Sequence, residues 1–478
     1  MSATPAHGPV QGPLHGAMNG PGTGRGADPA GGGDTDVLVV GAGWAGLAAA
    51  VGLVESGRTT TLIDAAPQAG GRARALTLEL DGERVEVDNG QHLLIGAYRS
   101  TLALIARVGA DPDAVLARSR LRLSGPDGFE LRAAPLPAPL NLGVGLLAAR
   151  GFPWPERIAM ARAMAGLARR GPASVRDGET VAGWLAAQRQ PPALVERLWA
   201  PLCIGALHTP LERACARAFA QVLCDALLAR ACDADFLLPR GTLGDVLPDP
   251  ALAWLHERGA TVRLRTACRG LAREADGRWR DVTDAGPIRS RAVVLAVPPL
   301  QIAKLLDGAV PAARLAPFDA FEHEPIATVW LAWHERLVLP EATMLAERAG
   351  AGEHGQWLFG RTPPAHGGIG AVAGIVVSAA GRLAERPAEL SDGVARQVAA
   401  QLGLPRARHA RAIVERRATI RCSPERPRLD TDALADLGPG LALAGDWSWH
   451  RYPATIESAV RSGDAAARYL ATGVAPRP

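Results

Sequence analysis

The stretch that decides the fold is Asp36-Val37-Leu38-Val39-Val40-Gly41-Ala42-Gly43-Trp44-Ala45-Gly46-Leu47-Ala48-Ala49-Ala50. Val37 to Val40 is a short apolar run of the kind that a parallel strand buried on both faces requires. It leads without a spacer into Gly-x-Gly-x-x-Gly. The alanine-rich segment that follows reads as a helix ending near Gly57, a suitable C-terminal cap. Gly41 permits the tight turn, Gly43 lets the backbone approach a pyrophosphate, and Gly46 lets the helix pack closely on the strand. The helix start at Trp44 and Ala45 offers free amides and the positive end of a dipole to phosphate. Thr59 to Ile63 is a second β-rich run. Asp64 at its tip, 18 residues after Gly46, is placed to accept both hydroxyls of a ribose. Gly-x-Gly-x-x-Gly alone is a weak signal, because glycine-rich turns are common. In the order strand, turn, helix, strand and acid it predicts a dinucleotide-binding α/β domain. The carboxylate also speaks against the 2′-phosphate of NADP at this site.

Two further segments bear on the cofactor. Ala65-Ala66-Pro67-Gln68-Ala69-Gly70-Gly71-Arg72-Ala73 resembles the second fingerprint of the flavin amine oxidase and carotenoid desaturase superfamily. The resemblance implies FAD, with Gly71 allowing close approach and Arg72 supplying a cationic fork for phosphate. Read without it, the segment is a surface Gly-Gly turn. Near the other end, Leu441-Ala442-Leu443-Ala444-Gly445-Asp446 reads as a buried strand, and Tyr452-Pro453-Ala454-Thr455-Ile456-Glu457 opens a helix. In that superfamily Gly445 and Asp446 would meet the pyrophosphate and ribityl chain. The Ile456 amide would face the flavin C2 carbonyl and stabilise negative charge there. Ala260 to Leu271 reads as one strand after a helix, and Ala292 to Pro299 resembles the returning strand of an FAD domain. The expected fold is therefore α/β: a Rossmann-type FAD-binding domain, discontinuous over 36–100, 238–300 and 410–475. An inserted α+β substrate domain would cover 101–237 and 301–409. No second glycine fingerprint followed by an acid is visible, so no separate nicotinamide site is expected.

A more specific resemblance covers the chain from about residue 36 to 465. It is carried by Asp88-Asn89-Gly90-Gln91-His92, Gln190-Pro191-Pro192, Leu198-Trp199-Ala200-Pro201-Leu202-Cys203, Pro325-Ile326-Ala327-Thr328-Val329 and Tyr452-Pro453-Ala454-Thr455-Ile456-Glu457. These segments resemble the squalene-associated FAD-dependent family, the hydroxysqualene dehydroxylases. The resemblance implies that an allylic hydroxyl of hydroxysqualene is replaced by hydride from reduced flavin, by way of an allylic cation. Such a step needs an acid, and His92 and Asp88 are the candidates, with Gly90 among the cofactor contacts. Alternatively Asp88 only shapes a turn, and His92 only bonds flavin or backbone. Three other readings stay open. A carotenoid or isoprenoid desaturase would run the flavin in the opposite direction. A flavin amine oxidase is disfavoured, because Ile326 to Ala332 lacks a lysine and Lys304 is the sole lysine of the chain. A non-catalytic FAD-bound lipid carrier is the third.

A thirty-carbon isoprenoid gains on the order of 20 kcal/mol on leaving water, so such a substrate resides in a bilayer. Asn141 to Arg170 mixes Leu146, Leu147, Phe152, Trp154, Ile158, Met160, Met164 and Leu167 with five arginines. A basic amphipathic stretch with Trp and Phe suits peripheral contact with a membrane surface, although such helices also pack on their own cores. The electron donor is not named by any motif.

Composition sets the outer limits. A chain of 478 residues is too long for one core. A formal charge of +4, with no basic stripe interleaved with aromatics, argues against a nucleic-acid partner. Six cysteines form no metal-binding pair, so reduced buried thiols and no metal are expected. The first 35 residues, rich in Gly, Pro and Ala, read as a disordered tail without an export signal. No apolar run reaches the length of about 18 residues that a membrane span requires. The expected location is the cytoplasm, with the inner face of its membrane as the place of any lipid contact.

Overall fold

The computed structural model describes residues 34–80, 82–362, 367–429 and 437–472. Residues 1–33 of the expected tail lie outside the described residues, while Asp34 and Thr35 already belong to the first strand.

The Asp34–Val40 strand is flanked in parallel by Thr60–Ile63 on one side and Gly286–Leu295 on the other. Thr261–Arg263 extends the sheet beyond Thr60–Ile63, and Leu441–Leu443 pairs with the end of Gly286–Leu295, both in parallel. An antiparallel meander, Cys268–Arg273 and Trp279–Thr283, completes it. The continuous apolar run has its reason here, because both faces of the first strand are covered. Val37 and Val39 join the core of the Trp44–Glu55 helix, while Leu38 and Val40 join a second core with Ile302, Phe318 and Trp447. The Trp44–Glu55 helix lies against the Ile456–Thr472 helix, and only glycine at 463 permits that approach. A Cβ there would stand 2.1 Å from the Ala45 carbonyl oxygen.

The second body is built on a five-stranded antiparallel sheet. Its order is Thr343–Met344, Trp357–Arg361, Ala371–Val377, His323–Trp333, His409–Ile420. The Pro387–Leu402 helix covers one face through Val394, Ala395 and Val398. Helices between Leu140 and Leu228 form a further core around Trp184, Trp199 and Phe219, whose rings meet edge to face.

Three expectations change. The single strand expected over Ala260 to Leu271 is two, Thr261–Arg263 and Cys268–Arg273, because Arg265 between them adopts φ +55°. The third FAD segment does not start at 410, since His409–Ile420 is an edge strand of the antiparallel sheet. An apolar strand reads alike beside either sheet, and its partner decides. The candidate membrane stretch is two helices, Leu140–Leu147 and Trp154–Arg170. Phe152, Met160 and Leu167 are buried in the core, which leaves Leu147, Trp154 and Ile158 outside. Among the described residues no helix is long and apolar enough to cross a membrane.

Candidate functional site

A cavity of about 1120 Å³ opens where the parallel strands end, the usual place for ligands in such sheets. It exceeds the roughly 300–1,000 Å³ of an ordinary small-molecule pocket. It has two parts: an arm lined by the glycine turn, and a chamber between the helices and the antiparallel sheet.

In the arm, the Asp64 carboxylate accepts the Ala42 N–H at 2.6 Å and the Ala66 N–H at 2.7 Å, which locks the acid beside the turn. Gly41 has φ +105°, and a Cβ on it would lie 2.4 Å from the Ala296 carbonyl oxygen. A Cβ on Gly46 would lie 1.8 Å from the Gly41 oxygen. Packing within the protein therefore requires both glycines. Gly43 is different: its φ is −72°, and a Cβ there would meet nothing closer than 3.9 Å. The protein itself has no use for glycine at 43, yet the position faces the cavity beside Gly71. The space a Cβ would fill is a cradle for a phosphate group, at the start of a helix that begins with Trp44 and Ala45. These residues fit a bound FAD.

The remaining expected cofactor residues converge on the same arm. Arg72 pairs with Asp446 at 2.7 Å and donates to the Ala418 carbonyl at 2.5 Å. Residues of the second fingerprint and of the last strand are thus joined directly. Gly445 also lines the arm, and Ile456 begins the last helix there. The Trp44 indole is held by the Ala73 carbonyl at 2.9 Å. Gln91 lines the cavity and its Oε1 is buried with no partner among the described residues.

The chamber is walled by hydrocarbon side chains, among them Leu123, Leu202, Phe219, Leu223, Phe236 and Val376. The two candidate acids behave differently there. Asp88 is fully buried and does not line the cavity. It accepts the Leu243 N–H at 2.7 Å and pairs with Arg361 at 3.2 Å. Burial pushes its carboxyl up to about 6 despite Arg361. This geometry corrects the expectation of direct proton transfer by Asp88, which instead ties the Glu83–Asp88 strand to the Leu243 turn.

His92 does line the cavity, and its Nδ1–H donates to the Gly90 carbonyl at 2.6 Å. That bond leaves Nε2 with its lone pair. Burial, with a contribution from Arg72, lowers the imidazole below its ordinary value. His92 is therefore neutral near pH 7 and suited to accept a hydrogen bond, not to give up a proton. A second cavity imidazole, His208, was not anticipated. Its Nδ1 lies 2.9 Å from Ser378 Oγ, and burial followed by the neighbouring His92 pulls it down to about 4. It ends the Ala200–Leu207 helix in the left-handed region, at φ +50°. The only local signal was His-Thr-Pro closing an apolar helix. Among the described residues no group of three or more His, Cys, Asp or Glu is placed to hold a metal.

Comparison with known proteins agrees with this arrangement. The family model described as flavin containing amine oxidoreductase matches residues 44–471. Hydroxysqualene dehydroxylases of Rhodopseudomonas palustris and Sinorhizobium fredii are each 29% identical to this chain, over 90% of it and 97% of their own length. A zeta-carotene desaturase of Arabidopsis thaliana is 23% identical over 50% of this chain and 45% of its own. Among solved structures, a putrescine oxidase bound to putrescine superimposes with a TM-score of 0.67 at 16% identity, covering 91% of this chain and 99% of its own. Cyclohexylamine oxidase from Brevibacterium oxydans does so with 0.65 at 18%, covering 92% and 99%. These likenesses establish a Rossmann-type flavoprotein fold with a second body beside it. With the glycine turn, the ribose acid and the Arg72–Asp446 pair gathered in one arm, the chain belongs to the flavin-containing amine oxidoreductase family.

Proposed function

We propose that this protein is an FAD-dependent hydroxysqualene dehydroxylase. The observation that carries the reading is the cavity itself, a nucleotide arm continuous with a chamber of hydrocarbon walls. A long isoprenoid seated in the chamber has only apolar partners along most of its length, which is what its transfer from lipid requires. The full-length likeness to two hydroxysqualene dehydroxylases supports the same choice. Bound reduced flavin supplies the hydride that takes the place of the allylic hydroxyl. The protein's part is to exclude water and hold the substrate with its C–O bond at the junction of arm and chamber. His92, neutral and with a free Nε2, is a polar contact at that junction. The oxygen leaves as water once it has gained a proton.

The Arabidopsis likeness keeps desaturation as the second reading. Amine oxidation is less favoured, because the His323–Trp333 strand, whose Ile326 and Thr328 line the cavity, carries no lysine, and the sole lysine, Lys304, reaches the lining from the Pro299–Leu305 helix instead. The test is anaerobic photoreduction of the flavoprotein followed by hydroxysqualene in detergent. Flavin reoxidation matched by squalene, by mass, is the expected result. An unchanged lipid with bleaching of the oxidised enzyme by a partly saturated isoprenoid polyene would move the assignment to a desaturase.

Peripheral membrane contact belongs to the same proposal. Leu140, Val144 and Leu147 share one helix face and are exposed, as are Trp154 and Ile158 on the next helix. Arg157 lies over the Trp154 ring at 4.8 Å, Arg150 and Arg162 are exposed on the same stretch, and Arg169 and Arg170 are exposed at the far end of the second helix. Apolar side chains accompanied by arginine suit an anionic bilayer surface. Sedimentation with anionic vesicles should lose most bound protein on combined Leu147→Ser and Trp154→Ala substitution. Unchanged sedimentation would remove this patch from the proposal.

A further inference from the structure

The chamber as described poses a selection problem. Hydrocarbon walls hold an isoprenoid alcohol and the corresponding hydrocarbon almost equally, so substrate and product would compete for the same seat. Among the carboxylates that line the cavity, Asp225 stands beside the hydrocarbon wall. Asp225 lies in a π-helical turn, Cys224–Leu228, that continues directly from the Ala216–Leu223 helix. Phe219, Val222, Leu223 and Ala226 of the same stretch line the chamber beside it. Single π turns recur at functional sites, because the additional residue moves a side chain out of α-helical register.

Asp225 is held from the other side of the junction. The Tyr452 hydroxyl donates to its Oδ2 through a short hydrogen bond, and Gln221 Nε2 donates to the same oxygen at 2.9 Å. Tyr452 belongs to the segment leading into the last helix, whose next residues line the arm. The pair therefore bridges chamber and arm. The surrounding charges are otherwise engaged. Glu457 accepts from Ser100, Thr101 and Arg461, and Arg461 stacks on the Tyr452 ring at 5.1 Å. Arg99 pairs with Asp233 at 2.5 Å. Both bonds to Asp225 fall on Oδ2, and among the described residues Asp225 forms no ion pair.

We propose that the Asp225–Tyr452 pair is the recognition point for the substrate hydroxyl, and that it makes the chamber prefer an isoprenoid alcohol to the hydrocarbon it becomes. Asp225 Oδ1 accepts the alcohol O–H, while the phenol holds the carboxylate in place. The product has no such donor, loses the contact and leaves. Asp225 and Tyr452 are specificity-determining residues in this account, which rests on the dehydroxylase reading.

Binding is measured on the oxidised holoenzyme, where the alcohol is not consumed, by the change in flavin absorbance on titration with hydroxysqualene or squalene at fixed detergent. A hydrogen bond to a charged group predicts a roughly ten- to a hundredfold preference for the alcohol in the unaltered protein. Tyr452→Phe and Asp225→Asn, each close to isosteric, should both reduce that preference while leaving squalene affinity and flavin content unchanged. A preference that survives in both variants, or equal weakening of both ligands, overturns the inference. Unaltered enzyme that, once photoreduced, leaves hydroxysqualene unchanged sinks the dehydroxylase reading and this inference with it. Turnover by that enzyme together with an undiminished preference in both variants sinks the inference alone.

Discussion

The arm and the chamber of one cavity are made in opposite ways. The arm is built from short segments whose backbone does the work: glycine turns, helix amides, and carboxylates at strand ends. The chamber is built from side chains of helices and strands scattered over the second body, with no segment that stands out. A backbone site tolerates few residues at each position, and so leaves a motif. A hydrocarbon wall tolerates many, and leaves none. The two parts should therefore fail differently when altered.

The largest effect is expected at Gly46→Val, where the new side chain meets the Gly41 backbone. Loss of soluble folded protein, measured by expression and circular dichroism, is the expected outcome. Gly43→Val separates architecture from ligand, since a Cβ there has room. It should fold with an ordinary melting temperature yet retain little flavin by absorbance. Normal flavin content in that variant would refute the phosphate cradle.

Next comes the chamber. Val222→Arg places a charge among hydrocarbon walls, and should lower hydroxysqualene turnover at least about a hundredfold. Flavin stoichiometry should stay intact. If flavin were lost as well, arm and chamber would not be the separable parts described.

Asp88 and His92 form an internal contrast of smaller size. Asp88→Asn breaks a buried pair with Arg361, and should cost up to about 3 kcal/mol of stability in denaturant unfolding. His92→Ala should leave stability near that of the parent and lower turnover about tenfold, the worth of one polar contact. A reversed pattern would restore Asp88 as the group that meets substrate.

A further prediction concerns pH. Burial pushes the Asp281 carboxyl up to about 6, with the Cys268 thiol bond pulling the other way. The folded state then holds this proton more tightly than the unfolded chain, whose carboxyl titrates near about 3.9. Stability should fall as pH rises from about 4 to about 6 and change little from this source above that. Asp281→Asn should flatten that slope by about 2–3 kcal/mol, read from denaturant midpoints across the range.

Read from sequence, the site divides along the same line. Gly41, Gly43, Gly46, Asp64, Arg72 and Asp446 were legible, because each answers to a local backbone need or to a spaced fingerprint. His92 was legible as a cavity residue but not as a neutral one, since its low proton affinity comes from burial and from Arg72, 20 residues away in sequence. Asp88 was a candidate acid through its place in Asp88-Asn89-Gly90-Gln91-His92, whereas its partner Arg361 lies on a strand of the second sheet. His208 and Asp225 were missed. His208 ends its helix in the left-handed region, where glycine or asparagine is the usual signal and histidine gives none, and Asp225 sits in a π turn, which leaves no local motif.

The amino-acid sequence by itself determined that this protein folds around a parallel sheet with a dinucleotide arm, because a buried parallel strand must be apolar throughout and a phosphate turn must contain glycine. Only the tertiary structure decided which strand joins which sheet, which acid reaches the cavity and which imidazoles stay neutral. Those properties belong to pairs of groups brought together from distant parts of the chain. Burial and partner charge act through space, and a single sequence records them at no one position.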